Sequence, residues 1–130
     1  MTNVLIVGSG GREHALGWKI SQNKNISKIF FAPGNAGTSQ NIKILASEVD
    51  KLKTFAKEND CFTIVGPEGP LANGIVDSFV EGGLQIFGPT KRAALLESSK
   101  VFAKKFMYEN DILTPGFKAF PMQKKLRIML

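Results

Sequence analysis

Four apolar residues, Val4-Leu5-Ile6-Val7, run without polar alternation and stop at Gly8-Ser9-Gly10-Gly11, after which Arg12-Glu13-His14-Ala15-Leu16 sets off with helical character. An unbroken apolar run of that length reads as a strand buried on both faces, as strands of parallel sheets are. A glycine turn between such a strand and a helix start forms a concave anion site. The glycines let backbone N–H groups close on a phosphate, and the helix N-terminus adds positive potential. The opening therefore predicts an α/β chain that binds a phosphorylated small molecule at its first turn. The same residues also read as a tight turn without a ligand, but three glycines with Ser9 and Arg12 beside them are more than a turn needs.

The rest of the chain repeats the alternation. After a helix over Glu13–Gln22, with Ala15, Leu16, Trp18 and Ile20 available to pack, come a strand over Lys28–Phe31 and the turn Ala32–Thr38. A short strand is expected over Ile42–Leu45 and a lysine-decorated helix over Val49–Glu58, with Leu52, Phe55 and Ala56 inward. Strands over Phe62–Val65 and Leu84–Phe87 flank a helix over Leu71–Glu81, whose apolar residues are Ile75, Val76, Phe79 and Val80. Thr90 is placed to cap a helix over Lys91–Leu96, and Ser99–Asn110 is the last helix. Strand–helix alternation at this spacing implies a parallel sheet covered on both faces. Three strands end in glycine turns, Gly8–Gly11, Gly66–Gly69 and Gly88–Thr90, and ligands of doubly wound sheets sit beyond the carboxyl ends of the strands. One elongated cleft along that edge is expected.

Composition narrows the function. The 130 residues fit one compact domain, 43% hydrophobic residues are enough for a core, and ten Phe favour a packed interior. The net charge of +6 raises nucleic acid as a partner, but the lysines are scattered on solvated faces without an arginine-rich run, so no nucleic-acid role is assigned. The single cysteine, Cys61, excludes an internal disulfide and fits a reducing, cytoplasmic setting; it reads as a packing residue. No secretory signal and no run near the ~20 apolar residues of a membrane span are present, so no membrane role is expected.

The individual motifs leave choices open. A dinucleotide fingerprint would need glycine where Glu13 stands and an acidic residue closing the second strand, where the chain has Phe30-Phe31-Ala32. The pattern G-x-x-x-x-G-K-[ST] is absent as well. His14, the sole histidine, has no Cys or His cluster with which to bind metal and reads as a packed or capping residue. Gly34-Asn35-Ala36-Gly37 is either a bare turn or a loop whose Asn35 bonds a ribose or phosphate. Gly66-Pro67-Glu68-Gly69-Pro70 holds a carboxylate between rigid residues at a strand end, which suits Glu68 to an amine or hydroxyl; a stiff turn into a helix is the alternative. Lys100, by spacing alone, is one more solvated lysine.

Taken together, VLIVGSGGREHAL, APGNAGT, IVGPEGPLANGIVDSF and IFGPTKRAALLESSKVFAKKFM, in that order and spacing, resemble the N-terminal region of the phosphoribosylamine–glycine ligases, from Asn3 to about Phe120. The resemblance implies a Rossmann-like, pre-ATP-grasp α/β domain with a parallel sheet between helices. It implies an ATP-grasp enzyme of purine biosynthesis, with 5-phosphoribosylamine, glycine and ATP as partners and Mg²⁺ required. ATP would phosphorylate the glycine carboxylate, and the amine of 5-phosphoribosylamine would attack the acyl phosphate. By the same resemblance Gly8, Gly10, Gly11, Arg12 and Glu13 shape the phosphoribosyl site, Asn35, Gly37, Glu68 and Pro70 line it, and Lys100 lies near the nucleotide phosphates. No catalytic residue and no metal ligand fall in this chain by that reading.

The resemblance divides the chain into a Rossmann-like domain over 1–98, the start of an ATP-grasp region over 99–120 and an atypical tail over 121–130. The family is several-fold longer, so the chain is expected to be inactive alone, with the ATP-grasp lobes supplied by a separate chain if at all. The tail Pro121–Leu130 departs from the family, its codons can give a family-like continuation in another frame, and Leu113 stands where the family has Pro. A frameshifted or truncated reading frame is the expectation. The alternatives are a stand-alone module for a phosphorylated ribose or nucleotide, and a gene fragment without a role.

Overall fold

The computed structural model describes residues 1–119; the tail expected over 121–130 and the expectations for Phe120 lie outside the described residues. Four strands, β1 (Thr2–Gly8), β2 (Ile26–Pro33), β3 (Cys61–Val65) and β4 (Ile86–Phe87), form one sheet in the order β2-β1-β3-β4. Every pairing is parallel. The crossovers carry α1 (Gly11–Ile20), α2 (Val49–Glu58), α3 (Glu68–Ala72) and α4 (Ile75–Glu81), and α5 (Lys91–Ser98) and α6 (Lys100–Glu109) follow β4. This is the parallel α/β architecture expected, with β1 at the centre.

Strand alternation sorts the apolar run onto two faces. Leu5 and Val7 join Leu52 and Ala56 of α2, Ile75 and Phe79 of α4 and Val65 of β3 in the larger core. Val4 and Ile6 join Phe31, with Leu16 and Ile20 of α1 packed against them. Leu5, Ile6, Val7, Leu52, Ile75 and Phe79 are fully buried. Cys61 is buried too, and burial pushes its thiol up to about 11, which suits a packing residue and not a nucleophile.

Several expectations are corrected. Ile42–Leu45 is not a strand: it touches the sheet at one bridge, Phe31 to Asn41, then turns, and Ile42, Ile44 and Ala46 pack on the core as loop residues. The helix expected over Leu71–Glu81 is two helices, because Gly74 adopts φ 88°, a left-handed conformation that cannot continue a helix. Helix α1 starts at Gly11, and Ala15 and Trp18 face solvent, Trp18 at 65% exposure. The phenylalanines do not all go inside. Only Phe31 and Phe79 are buried among those described, and Phe87 on the edge strand β4 is 67% exposed.

Candidate functional site

The carboxyl ends of β1, β2 and β3 meet at one edge, as parallel strands require, and a cleft of about 540 Å³ opens there. Its walls are Gly8–Glu13 from the turn after β1 (the first turn) and Pro67–Pro70 from the turn after β3 (the third), with Pro33 and Ala46 also lining it. Seven of the nine expected substrate-binding residues line it: Gly8, Gly10, Gly11, Arg12, Glu13, Glu68 and Pro70. Pro33 and Ala46 were not anticipated, and the turn Gly88–Thr90, expected along the same edge, is not among the lining residues. Ala46 belongs to a loop that no sequence pattern ties to the strand ends.

The first turn is built around Glu13. This residue is buried at the third position of α1, and its Oε2 accepts the N–H of Gly10 at 2.6 Å. The side chain fills the room that Gly8 and Gly66 leave. A Cβ on Gly8 would sit 2.6 Å from Glu13 Cδ, and one on Gly66 would collide with Oε1. Gly8 also has φ 131°, which excludes most other residues at the end of β1. The Gly10 amide, expected to point at a phosphate, is thus taken by its own protein, and the first-turn amides of Gly11 and Arg12 are the ones a helix start leaves without an intrahelical partner.

Arg12 reaches across the cleft and donates from its guanidinium to the carbonyl of Gly66. That bond uses one of its five N–H groups, so donors remain for an anion. Glu68 opens α3 on the opposite wall and is exposed, while Pro70 behind it is buried. Gly66 and the hydrogen bond it receives from Arg12 were not foreseen, because the partners lie 54 residues apart.

Asn35 and Gly37 do not line the cleft. Asn35 Nδ2 donates to the carbonyls of Ser9 at 2.9 Å and Gly10 at 3.1 Å, and its Oδ1 accepts the N–H of Gly37 at 2.8 Å. Thr38 Oγ1 closes the loop by accepting from Asn35 N at 2.7 Å. The second loop therefore braces the first from behind. The ring of His14 packs on Gly37, where a Cβ would lie 2.6 Å from its Cε1. Lys100, the exposed first residue of α6, is not among the cleft residues. Among the described residues, no group of three or more His, Cys, Asp or Glu gathers to hold a metal, and no helix is long and apolar enough to cross a membrane.

Sheet order and strand-end turns define a parallel α/β domain whose turns after β1 and β3 face one cleft. Residues 2–97 match the family described as phosphoribosylglycinamide synthetase, N domain, and the chain belongs to that family. It is 54% identical over 124 residues to the phosphoribosylamine–glycine ligase of Vibrio vulnificus, covering 91% of this chain and 29% of that protein. It is 51% identical over 123 residues to the ligase of that name from Pseudomonas aeruginosa, again 91% of this chain and 29% of the relative. The Caldanaerobacter subterraneus subsp. tengcongensis ligase is 54% identical over 121 residues, 90% of this chain and 29% of its own length. The chain thus spans 29% of the length of these curated relatives and matches their N-terminal part.

Proposed function

We propose that this chain supplies the phosphoribosyl-binding part of a ligase that joins glycine to 5-phosphoribosylamine at the expense of ATP. The observation that carries the reading is the meeting of the first and third glycine turns in one cleft, in a chain that belongs to this family. The guanidinium of Arg12 and the free first-turn amides suit the 5-phosphate, since anions are favoured at a helix N-terminus and beside arginine. The carboxylate of Glu68 on the facing wall suits the amine or a ribose hydroxyl. In the whole enzyme ATP phosphorylates the glycine carboxylate, the ribosylamine nitrogen attacks that acyl phosphate, and phosphate leaves as the C–N bond forms. The part of the chain described here serves to bind and orient one reactant, a positioning role.

The other steps belong to parts of the enzyme outside this match. With no gathered acidic group among the described residues, Mg²⁺ is assigned no ligand here and no step is routed through it. Residues 99–120, beginning with Lys100, are read as the start of the ATP-grasp region, which the end of the family match at residue 97 supports. ATP, glycine and a separate chain carrying the remaining lobes are the partners this reading assigns, and the cytoplasm, where Cys61 stays reduced, is its setting.

All cleft residues fall between positions 8 and 70, so the chain should bind the sugar phosphate by itself. Calorimetry with ribose 5-phosphate is expected to show saturable binding, weakened about tenfold by Arg12→Ala through loss of a charge-assisted contact. Absence of binding, or binding that ignores Arg12→Ala, overturns the assignment. With radiolabelled glycine, ATP and 5-phosphoribosylamine, the chain alone is expected to form no product; ATP-dependent product would refute the division of labour.

A further inference from the structure

We infer that Glu13 is a positioning residue, a strut that sets the spacing of the two cleft walls and contacts no substrate. The inference rests on the reading of the cleft as a phosphoribosyl site. Its ground is the way three backbone positions from two turns close on one carboxylate. Glu13 is 4% exposed, and its Oε2 holds the Gly10 amide at 2.6 Å. Gly8 on one side and Gly66 on the other are so close that neither has room for a Cβ. Gly8 ends β1 and Gly66 directly follows β3 with its N–H on the Val7 carbonyl at 3.1 Å, so the sheet brings the two turns together and the Glu13 side chain fills the space left between them.

The neighbouring residue adds a tie across the space that Glu13 fills. Arg12 ties the start of α1 to the Gly66 carbonyl, drawing the third turn toward the first. Strut and tie act on the same residue, Gly66, and together they set the distance from the first-turn amides to Glu68. Although Glu13 lines the cleft, it is 4% exposed and its Oε2 is taken by Gly10, so little of the side chain is left for a ligand. Its bond to Gly10 removes one amide from the anion site and fixes the orientation of the turn that presents the next two. Length, not charge, is then the property that matters at position 13.

Two substitutions separate these properties. Glu13→Gln keeps the length and the acceptor oxygen but removes the charge; Glu13→Asp keeps the charge but withdraws the carboxylate from Gly10. Ribose 5-phosphate affinity of the 130-residue chain, by calorimetry, is expected to stay within about threefold for Glu13→Gln and to fall about tenfold for Glu13→Asp, the loss typical of one buried hydrogen bond. The Gly10 amide proton gives a second readout by NMR: its resonance should shift strongly upfield in Glu13→Asp and little in Glu13→Gln. The reverse order, with Asp binding like the parent and Gln weakened, assigns the residue to charge and overturns the proposal, as does a Gly10 resonance indifferent to Glu13→Asp. If the parent chain fails to bind ribose 5-phosphate, the functional reading falls, while the Gly10 resonance still decides whether Glu13 is the strut.

Discussion

Gly17 lies in the middle of α1, where alanine is ordinarily the better helix residue by about 1 kcal/mol. Here the sign reverses. A Cβ at position 17 collides with Cζ of Phe31 and comes within 3.4 Å of Ile6 Cδ1. Phe31 is buried on the α1 side of the sheet and Ile6 is fully buried, so the added methyl has to displace packed side chains. Overpacking a filled core costs about 1–3 kcal/mol, more than the propensity returns. Gly17→Ala is expected to lower stability by about 1–2 kcal/mol, measured as a lower urea midpoint with an unchanged slope. An equal or higher midpoint would mean that the Phe31 ring turns aside freely. Nothing in the local sequence announces this glycine, whose reason is a ring fourteen positions further on.

The elements differ in how far local sequence decides them. Helix α2 occupies the expected Val49–Glu58, because its apolar positions Leu52 and Ala56 repeat at helical spacing and face the core. Strand β1 was legible from its unbroken apolar run, and the third turn from Gly66, Pro67 and Pro70 at the end of a strand. Ile42–Leu45 was not legible, since a short apolar run pairs or packs according to its neighbours in space. At the site, the cleft residues lie in or beside glycine turns that the sequence marks, whereas for Asn35 the sequence leaves a bare turn and a ligand contact open, and only the fold shows its hydrogen bonds bracing Ser9 and Gly10. Helix α6 falls within the expected Ser99–Asn110, and Ser99 caps it by accepting from Phe102 N at 3.3 Å, but a cap says nothing about tertiary support. No residue of α6 is buried. Its amides should therefore exchange through local opening at least about a hundredfold faster than those of Leu5, Ile6 and Val7 in β1. Amide exchange followed by NMR or mass spectrometry checks this, and equal protection of the two elements would show that α6 opens only with the whole domain.

On the scale of the molecule, burial is uneven. The centre of the sheet is closed, with Leu5, Ile6 and Val7 shut off from water. The sequence after β3 ends on a different kind of surface: Phe87, Val101, Phe102, Phe106, Ile112 and Leu113 are all more than a third exposed. Phe102 and Phe106 stack on each other with ring centroids 6.5 Å apart and leave a little over a third of each residue exposed. Scattered apolar residues on a surface are ordinary, but a stacked aromatic pair on a helix with no buried residue is where self-association is expected. The net charge of +6 opposes this only weakly at physiological salt, where screening is strong beyond roughly 8 Å. Equilibrium sedimentation at tens of micromolar should accordingly report a mass above the 14.2 kDa of one chain, rising with concentration. Replacing both rings, Phe102→Glu with Phe106→Glu, should return the mass to that of the monomer without unfolding β1, since neither ring belongs to the core formed around that strand. A parent chain that stays monomeric, or a double variant that associates equally well, would place the adhesive surface elsewhere, and the exposed edge at Phe87 would be the next to test by the same substitution.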